Sequence, residues 1–118
     1  MKDKIFKQAI EDNYRLWNEN KIDDLLALFD KMGPEGFTIE YVGQEPVEGK
    51  KAIADMWAQY GGKSPAKPQL VLVNGNEGAA YVLNYVQTDK GEMVLPSLET
   101  YKVEDGKLTI RYYHNIPE

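Results

Sequence analysis

The sequence predicts an α+β domain in which three helices from the N-terminal half pack on a curved antiparallel sheet and enclose an apolar pocket. Apolar residues recur at helical spacing in three early segments, and they alternate between turn signals through the C-terminal half. Helices that come first, followed by strands in consecutive hairpins, favour α+β over alternating βαβ units. The length of 118 residues fits a single domain over residues 1–118.

The first predicted helix covers residues 3–18 and is amphipathic, with charged side chains on its other face. Asn20-Lys21 is typical of a break after it. One face of this helix carries a row of residues at 4-3-4 spacing, namely Phe6, Ile10, Asn13 and Trp17. Ile5, Ala9 and Leu16 are expected to widen this face.

A second helix is predicted over residues 22–31 and ends at Gly33-Pro34, because proline cannot continue the hydrogen-bond ladder. Residues 37–42 alternate as a strand, with Phe37, Ile39 and Tyr41 on one side, and residues 43–49 are expected to form a loop. A third helix follows over residues 50–60, and its apolar stripe consists of Ile53, Met56, Trp57 and Tyr60.

The C-terminal half is predicted to form an antiparallel meander. Its hairpin signals are Asn74-Gly75-Asn76, Asp89-Lys90-Gly91 and Asp105-Gly106. The four strands that these turns separate cover residues 69–75, 79–88, 91–103 and 107–115.

Both faces of this sheet are apolar in the sequence pattern. Met93, Leu95 and Tyr101 point to one side, whereas Val94 and Leu98 point to the other. Three helices cover one face only, so a homodimer through the outer face is the simplest expectation. A solvent-facing sheet with scattered apolar residues is the alternative.

Composition excludes several classes of function. The net charge of −5 and the pI near 4.9 argue against nucleic acid or an anionic membrane as a partner. Because cysteine is absent and His114 is the one histidine, we expect no metal site. The sequence has no Gly-rich phosphate loop and no dinucleotide fingerprint, and we expect no bound cofactor. The N-terminal stretch lacks the apolar run of a signal peptide, which predicts a cytoplasmic location.

Glu99 is the most informative candidate for chemistry. It lies in the middle of a predicted strand, on the same side as Leu95 and Tyr101. If that side faces the helices, burial raises the pKa of the carboxyl group and suits it to general acid or base catalysis. Alternatively, Glu99 lies at the solvated rim, or Arg111 on the next strand neutralises it.

Two further polar residues lie in apolar rows. Tyr41 ends the inward row of its strand, where its hydroxyl group can donate to a substrate oxygen; alternatively, it is a core tyrosine whose hydroxyl group reaches the surface. Asn13 interrupts the face of the first helix. Asn13 then either lines the pocket or bridges to the sheet. Other pocket-lining candidates for binding an apolar ligand are Tyr14, Trp17, Trp57, Tyr60, Tyr81, Tyr101 and His114.

Three segments resemble the nuclear transport factor 2-like superfamily, in its SnoaL-like and ketosteroid isomerase branch. They run from Trp17 to Phe29, from Thr38 to Gly49 and from Leu98 to Val103. The resemblance implies a cone-shaped α+β roll, of the cystatin-like type, with an internal pocket. Such folds host enzymes, binding modules and assembly domains.

Ketosteroid isomerases use an Asp base, a Tyr donor and a protonated Asp donor. The resemblance places the protonated acid on Glu99, the base on Tyr41 and the tyrosine donor on Asn13, with Tyr14 one position away and rotated off the helix face. Of these three positions, only Glu99 has the same type of side chain as the ketosteroid isomerases. The resemblance therefore implies a different proton transfer, a cyclisation, a dehydration or a hydrolysis, with Glu99 as acid or base.

Three functional hypotheses follow. The first is a cofactor-independent isomerase-like or cyclase-like enzyme that acts on a small apolar, oxygen-bearing substrate. The second is a non-catalytic binding domain for an apolar ligand, which the missing base favours. The third is a structural dimerisation module, which requires a filled interior.

Overall fold

A computed structural model describes residues 2–114 of the chain and confirms the α+β fold. All three predicted helices and the predicted strands are present, with ends shifted by up to three residues, and position 115 of the last predicted strand lies outside the described residues. The elements are α1 (Asp3–Asn18), α2 (Ile22–Met32), β1 (Phe37–Tyr41), β2 (Val47–Glu48), α3 (Gly49–Tyr60), β3 (Ala66–Asn74), β4 (Glu77–Thr88), β5 (Gly91–Glu104) and β6 (Lys107–His114).

The sheet is mixed, whereas the sequence predicted a wholly antiparallel one. Its six strands have the order β2-β1-β6-β5-β4-β3, and β1 pairs with β6 in parallel. The prediction was wrong because hairpin signals specify only strands that are adjacent in the chain, and β1 joins the sheet next to the last strand. Residues 43–49 were also expected to be all loop, but Val47 and Glu48 form β2 against β1.

The helices cover the inner face of the sheet. Phe6 and Ile10 on α1 are fully buried, and they join one core with Val82 on β4 and Ile110 on β6. Ile5 was expected to widen this face, but it is 59% exposed because it lies on the solvent side of the helix.

The C-terminal end of α1 is anchored to the start of β3. The side chain of Asn18 makes two hydrogen bonds to the backbone of Ala66, at 2.7 and 2.8 Å, and Trp17 Nε1 donates to the carbonyl oxygen of Ser64 at 2.9 Å. These bonds fix the side of α1 that carries Asn13 and Trp17 against the sheet. None of the helices in the described chain has the length and apolar character that crossing a membrane requires.

Truncating Ile10 and Ile5 separately tests the assignment of the α1 faces. Ile10→Ala removes fully buried apolar atoms and leaves a cavity, so it should lower the free energy of unfolding by about 2–5 kcal/mol. Ile5→Ala on the same helix should change it by less than about 0.5 kcal/mol. Urea unfolding followed by circular dichroism measures both, and equal losses would contradict the assignment.

Candidate active site

Glu99 lies on β5 with its side chain under the helices and is 7% exposed. Both carboxylate oxygens accept a hydrogen bond: Oε1 from the hydroxyl group of Tyr14 at 2.8 Å and Oε2 from the hydroxyl group of Ser97 at 2.9 Å. A buried carboxyl group needs such partners because it has lost its water. Glu99 is therefore held in place by one residue of α1 and by one residue of its own strand.

The bond from Tyr14 is the end of a chain of donors that begins at Asn13. The Nδ2 group of Asn13 donates to the Tyr101 hydroxyl oxygen at 2.7 Å, and the hydroxyl oxygens of Tyr101 and Tyr14 lie 2.7 Å apart. Since the proton of Tyr14 points to Glu99, Tyr101 donates to Tyr14. Each of these groups thus donates in the direction of the Glu99 carboxylate. Asn13 bridges to the sheet through Tyr101.

A second, shorter chain reaches the other carboxylate oxygen. Asn84 on β4 donates from Nδ2 to the Ser97 hydroxyl oxygen at 3.0 Å, and Ser97 donates in turn to Glu99 Oε2. Both chains begin at an asparagine amide and pass through hydroxyl groups. Within residues 2–114, no fully buried side-chain nitrogen or oxygen is left without a partner.

Arg111 does not neutralise Glu99, although the sequence left that alternative open. Arg111 lies on the outer face of the sheet, and its Nη2 is 3.1 Å from Oε2 of Glu40. The two residues pair across β1 and β6, so alternation directs both away from the cavity. The alternative of a solvated rim position for Glu99 is also wrong, since the helices cover it.

Burial raises the pKa of Glu99 above its ordinary value of 4.5, while hydrogen bonds from Tyr14 and Ser97 act in the opposite direction. Removal from water disfavours the charged form, whereas donors favour it. The net upward shift brings the carboxyl group toward the range in which it exchanges protons near neutral pH.

The surrounding phenols stay protonated. Burial raises the pKa of Tyr41 to about 12, and it raises the pKa of Tyr14, Tyr101 and Tyr112 well above 10.0, with the Glu99 charge adding to each shift. Each phenol is consequently a hydrogen-bond donor at physiological pH.

A cavity of about 300 Å³ opens above Glu99 between the helices and the sheet. Its walls are mainly apolar and aromatic, and Tyr14 and Ser97 contact Glu99 there. The lining residues are Asn13, Tyr14, Trp17, Leu25, Tyr41, Ile53, Met56, Tyr60, Ser64, Ala66, Asn84, Val86, Leu95, Pro96, Ser97, Glu99, Tyr112 and His114.

Seven of the ten site residues predicted from the sequence line this cavity, and three do not. Tyr81 lies on the outer face, since it pairs with Leu98, which also points outward. Trp57 packs edge-on against Trp17 at 5.3 Å between ring centroids, outside the lining, and Tyr101 is buried behind Tyr14. The seven are Asn13, Tyr14, Trp17, Tyr41, Tyr60, Glu99 and His114.

Tyr14 was expected to be rotated off the helix face, but it is buried and contacts Glu99 directly. Residues 10, 13, 14 and 17 share one helix face at this spacing, so Tyr14 lies beside Asn13. His114 lies on the cavity wall at the end of β6, with its ring 6.0 Å from that of Tyr41.

Four polar lining residues were not predicted from the sequence, namely Ser64, Asn84, Ser97 and Tyr112. Asn84 interrupts the inward row that Ala80, Val82 and Val86 form on β4. Strand alternation in the sequence could therefore have predicted that Asn84 faces the cavity. Tyr112 pairs directly with Glu99 across β5 and β6, so its position depends on the register. In the part of the chain that the structure describes, no three acidic, histidine or cysteine side chains cluster as metal ligands.

Fold and site together define a class of small α+β proteins with a helix-covered cavity and a buried carboxyl group. The sequence profile of the family described as SnoaL-like domain matches residues 10–110. The chain therefore belongs to the family of SnoaL-like domains. No curated protein sequence matches the chain.

Solved structures share the fold at low sequence identity. The epoxide hydrolase/cyclase-like enzyme SalBIII, from pyran ring formation in the polyether salinomycin, superposes with a TM-score of 0.78 at 17% identity, covering 98% of this chain and 95% of that one. A protein described as a SnoaL-like polyketide cyclase from Jannaschia sp. CCS1 gives 0.69 at 20% identity, covering 92% and 85%. An NTF2-like protein from Cytophaga hutchinsonii gives 0.66 at 15% identity, covering 92% and 98%.

Replacing Glu99 by Gln should change how stability depends on pH. A carboxyl group whose pKa is raised in the folded state binds more protons when folded, so it stabilises the protein below its unfolded pKa near 4.5 and loses that contribution as pH rises through the folded pKa. The free energy of unfolding of the wild type should therefore fall relative to Glu99→Gln across this window, by at most about 1.4 kcal/mol per pH unit.

Urea unfolding at a series of pH values from 4 to 8 measures this difference. Glu104→Gln is the matched control, because Glu104 lies exposed at the end of the same strand, and it should reproduce the wild-type pH dependence. A wild type that gains stability over Glu99→Gln as pH rises would show that the pKa of Glu99 is lowered on folding.

Proposed function

We propose that this protein is a cofactor-independent enzyme of isomerase or cyclase type that transfers a proton on a small, apolar, oxygen-bearing substrate. The observation that carries the proposal is Glu99, a buried carboxyl group with both oxygens fixed by hydrogen bonds at the wall of an open cavity. Groups with a raised pKa and fixed geometry in a cavity are typical of acid–base catalysis.

Glu99 acts as the proton carrier. Two of the roughly four lone-pair sites of a carboxylate are occupied by Tyr14 and Ser97, which leaves sites for a substrate proton. In an isomerisation the carboxylate removes a proton from the carbon beside a carbonyl group, the C–H electron pair forms an enolate with negative charge on the carbonyl oxygen, and the carboxylic acid returns the proton at another carbon. In a ring closure the carboxylate removes a hydroxyl proton, the hydroxyl oxygen bonds to an epoxide carbon as its C–O bond breaks, and the carboxylic acid gives the proton to the epoxide oxygen that is released.

Protonated phenols supply the matching stabilisation of the substrate oxygen. Tyr41 and Tyr112 both line the cavity, and their rings are packed together with 5.3 Å between centroids. A hydrogen bond from either hydroxyl group would stabilise negative charge that develops on the oxygen. Asn13 has a positioning role in this scheme, because its amide acts on Glu99 through Tyr101 and Tyr14.

The cavity favours a neutral substrate. No Lys or Arg occurs among the described residues that line it, so a carboxylate or phosphate group would face Glu99 without a compensating cation. The volume of about 300 Å³ is at the lower end for small-molecule sites, and the walls are mostly apolar. A compact molecule with one or two oxygen atoms fits these properties.

The structural relatives support the reaction class. SalBIII is described as epoxide hydrolase/cyclase-like, and the Jannaschia protein as a polyketide cyclase. Pyran ring formation, which the description of SalBIII names, closes a ring at oxygen and needs proton transfer to or from that oxygen. The relatives do not specify the substrate of this chain, since they share its fold at 20% identity or less.

One observation favours a second function, non-catalytic binding of an apolar ligand. Glu99 is the one carboxyl group among the described lining residues, and Tyr41 stands where ketosteroid isomerases have their base. A binding domain would hold its ligand unchanged, and mass spectrometry of the ligand after long incubation distinguishes the two functions. The cavity itself argues against a purely structural module, which needs a filled interior.

The proposed chemistry can be tested without knowing the substrate. Small neutral cyclic ketones and epoxides are incubated with the protein, in D₂O for ketones and in ¹⁸O-labelled water for epoxides, and label uptake is followed by mass spectrometry. Wild-type protein should accelerate uptake by at least one compound, and Glu99→Gln should lower that rate by about 100-fold or more. Glu104→Gln, with its carboxyl group on the outer face, should keep the wild-type rate.

A folded Glu99→Gln protein with an unchanged rate would remove Glu99 from the mechanism. A panel compound that binds, as seen by a concentration-dependent rise in melting temperature, but takes up no label would instead favour the binding domain.

A further inference from the structure

His114 is the one histidine of the chain and lies at the end of β6, on the wall of the cavity. It also borders a groove on the outer side of the sheet and is exposed to solvent, which places it at the mouth of the cavity. The proton carrier Glu99, by contrast, is buried. Proton transfer by Glu99 alone gives this imidazole no role.

Strand register places His114 on the same face of the sheet as Glu99. Ser97 pairs with His114 and Glu99 pairs with Tyr112 across β5 and β6, and all four residues line the cavity. Diagonal neighbours on one face of an antiparallel pair lie roughly 7–8 Å apart. The imidazole and the carboxyl group therefore stand at opposite corners of a group of four inward side chains.

The other titratable groups that face His114 are phenols. Tyr41 on β1 lies edge-on to the imidazole with 6.0 Å between ring centroids, and Tyr60 on α3 and Tyr112 line the same cavity. Burial raises the pKa of Tyr41 to about 12 and keeps it protonated. Among the described lining residues, Glu99 and His114 thus have the side-chain types that ordinarily exchange protons between about pH 4 and 8.

Two proton carriers on either side of a substrate suit a reaction in which a proton leaves one oxygen and another proton arrives at a second oxygen. In inverting glycosidases an acid and a base roughly 6.5–9.5 Å apart act in this way. Isomerisation at carbon needs no second carrier, because one carboxyl group moves the proton. We propose that His114 is a catalytic residue for epoxide opening, an assignment that rests on the proposed function, and that its imidazolium, in place of Glu99, gives the proton to the released oxygen.

The proposed step balances in protons and electrons. The Glu99 carboxylate removes a proton from water or from a substrate hydroxyl group, and the oxygen that loses this proton bonds to an epoxide carbon. The epoxide C–O bond at that carbon breaks, its electron pair moves to the epoxide oxygen, and this oxygen takes the N–H proton of His114. Glu99 is then a carboxylic acid and His114 a neutral imidazole. Release of one proton from Glu99 to solvent and uptake of one proton by His114 restore the starting state.

Two neutral cyclic compounds of similar size separate the role of His114 from that of Glu99. Opening of cyclohexene oxide is followed by uptake of ¹⁸O from labelled water, and deuterium uptake by cyclohexanone is followed in D₂O. His114→Gln should lower the rate of epoxide opening by about 100-fold and leave deuterium uptake by the ketone unchanged. Tyr113→Phe changes the neighbouring residue on the outer face and should keep both wild-type rates.

The pH dependence of epoxide opening gives a readout that a purely structural role for His114 would not change. The wild-type rate should fall at low pH, because Glu99 must be ionised, and at high pH, because the imidazole must carry its proton. Only the fall at high pH should disappear in His114→Gln.

Chemical modification tests whether His114 contacts a bound molecule, independently of the reaction rate. Diethyl pyrocarbonate carbethoxylates imidazole, and with one histidine in the chain the absorbance change reports His114 alone. The product of the epoxide opening, trans-cyclohexanediol, should slow this modification increasingly as its concentration rises. The control combines Ile5→His with His114→Gln, so that the one histidine lies on the exposed side of α1, and the diol should leave its modification rate unchanged.

Equal losses of both reactions in His114→Gln would overturn the inference, because the residue would then support the cavity and not donate a proton. An unchanged rate of epoxide opening in this variant would also overturn it, as would modification of His114 that the diol does not slow. In each of these cases the proposed function stands as long as Glu99→Gln abolishes deuterium uptake. A folded Glu99→Gln protein that keeps both rates would overturn the proposed function and this inference together.

Discussion

The burial of one carboxyl group organises the interior of this protein. Glu99 lies where the sheet meets the helices, and a carboxyl group removed from water requires hydrogen-bond donors. Tyr14 supplies one from α1 and Ser97 supplies the other from β5. Because Tyr14 is in turn held by Tyr101, the network joins the first helix to the sheet at the point where the cavity begins.

The two chains of hydrogen-bond donors leave the Glu99 carboxyl group able to bind and release a proton, which an ion pair would not. A buried salt bridge to Arg or Lys would hold Glu99 ionised and occupy it. Neutral donors keep the carboxyl group in place, and desolvation still raises its pKa. The result is a fixed carboxyl group whose pKa lies above its ordinary value, surrounded by phenols that stay protonated and by mostly apolar walls.

Strand alternation was enough to place Glu99 in one row with Leu95 and Tyr101, although the structure was needed to show that this row faces the helices. Helical spacing was enough to predict the α1 face of Phe6 and Ile10. Other features depend on contacts between distant segments. The parallel pairing of β1 with β6, and the position of Tyr112 opposite Glu99, follow from register that no local turn signal specifies. Tyr81 was assigned to the pocket as an aromatic residue, although its own alternation with Ala80 and Val82 places it outside.

The pKa of Glu99 is the central quantity of this account, and nuclear magnetic resonance measures it directly. Protein with ¹³C-labelled glutamate side chains is titrated, and Glu99→Gln identifies the Glu99 carboxyl signal by its loss. We expect a Glu99 pKa above 4.5, and a further rise of that pKa in Tyr14→Phe, which removes one hydrogen-bond donor. A Glu99 pKa at or below 4.5 would contradict this prediction, because the hydrogen-bond donors would then outweigh burial.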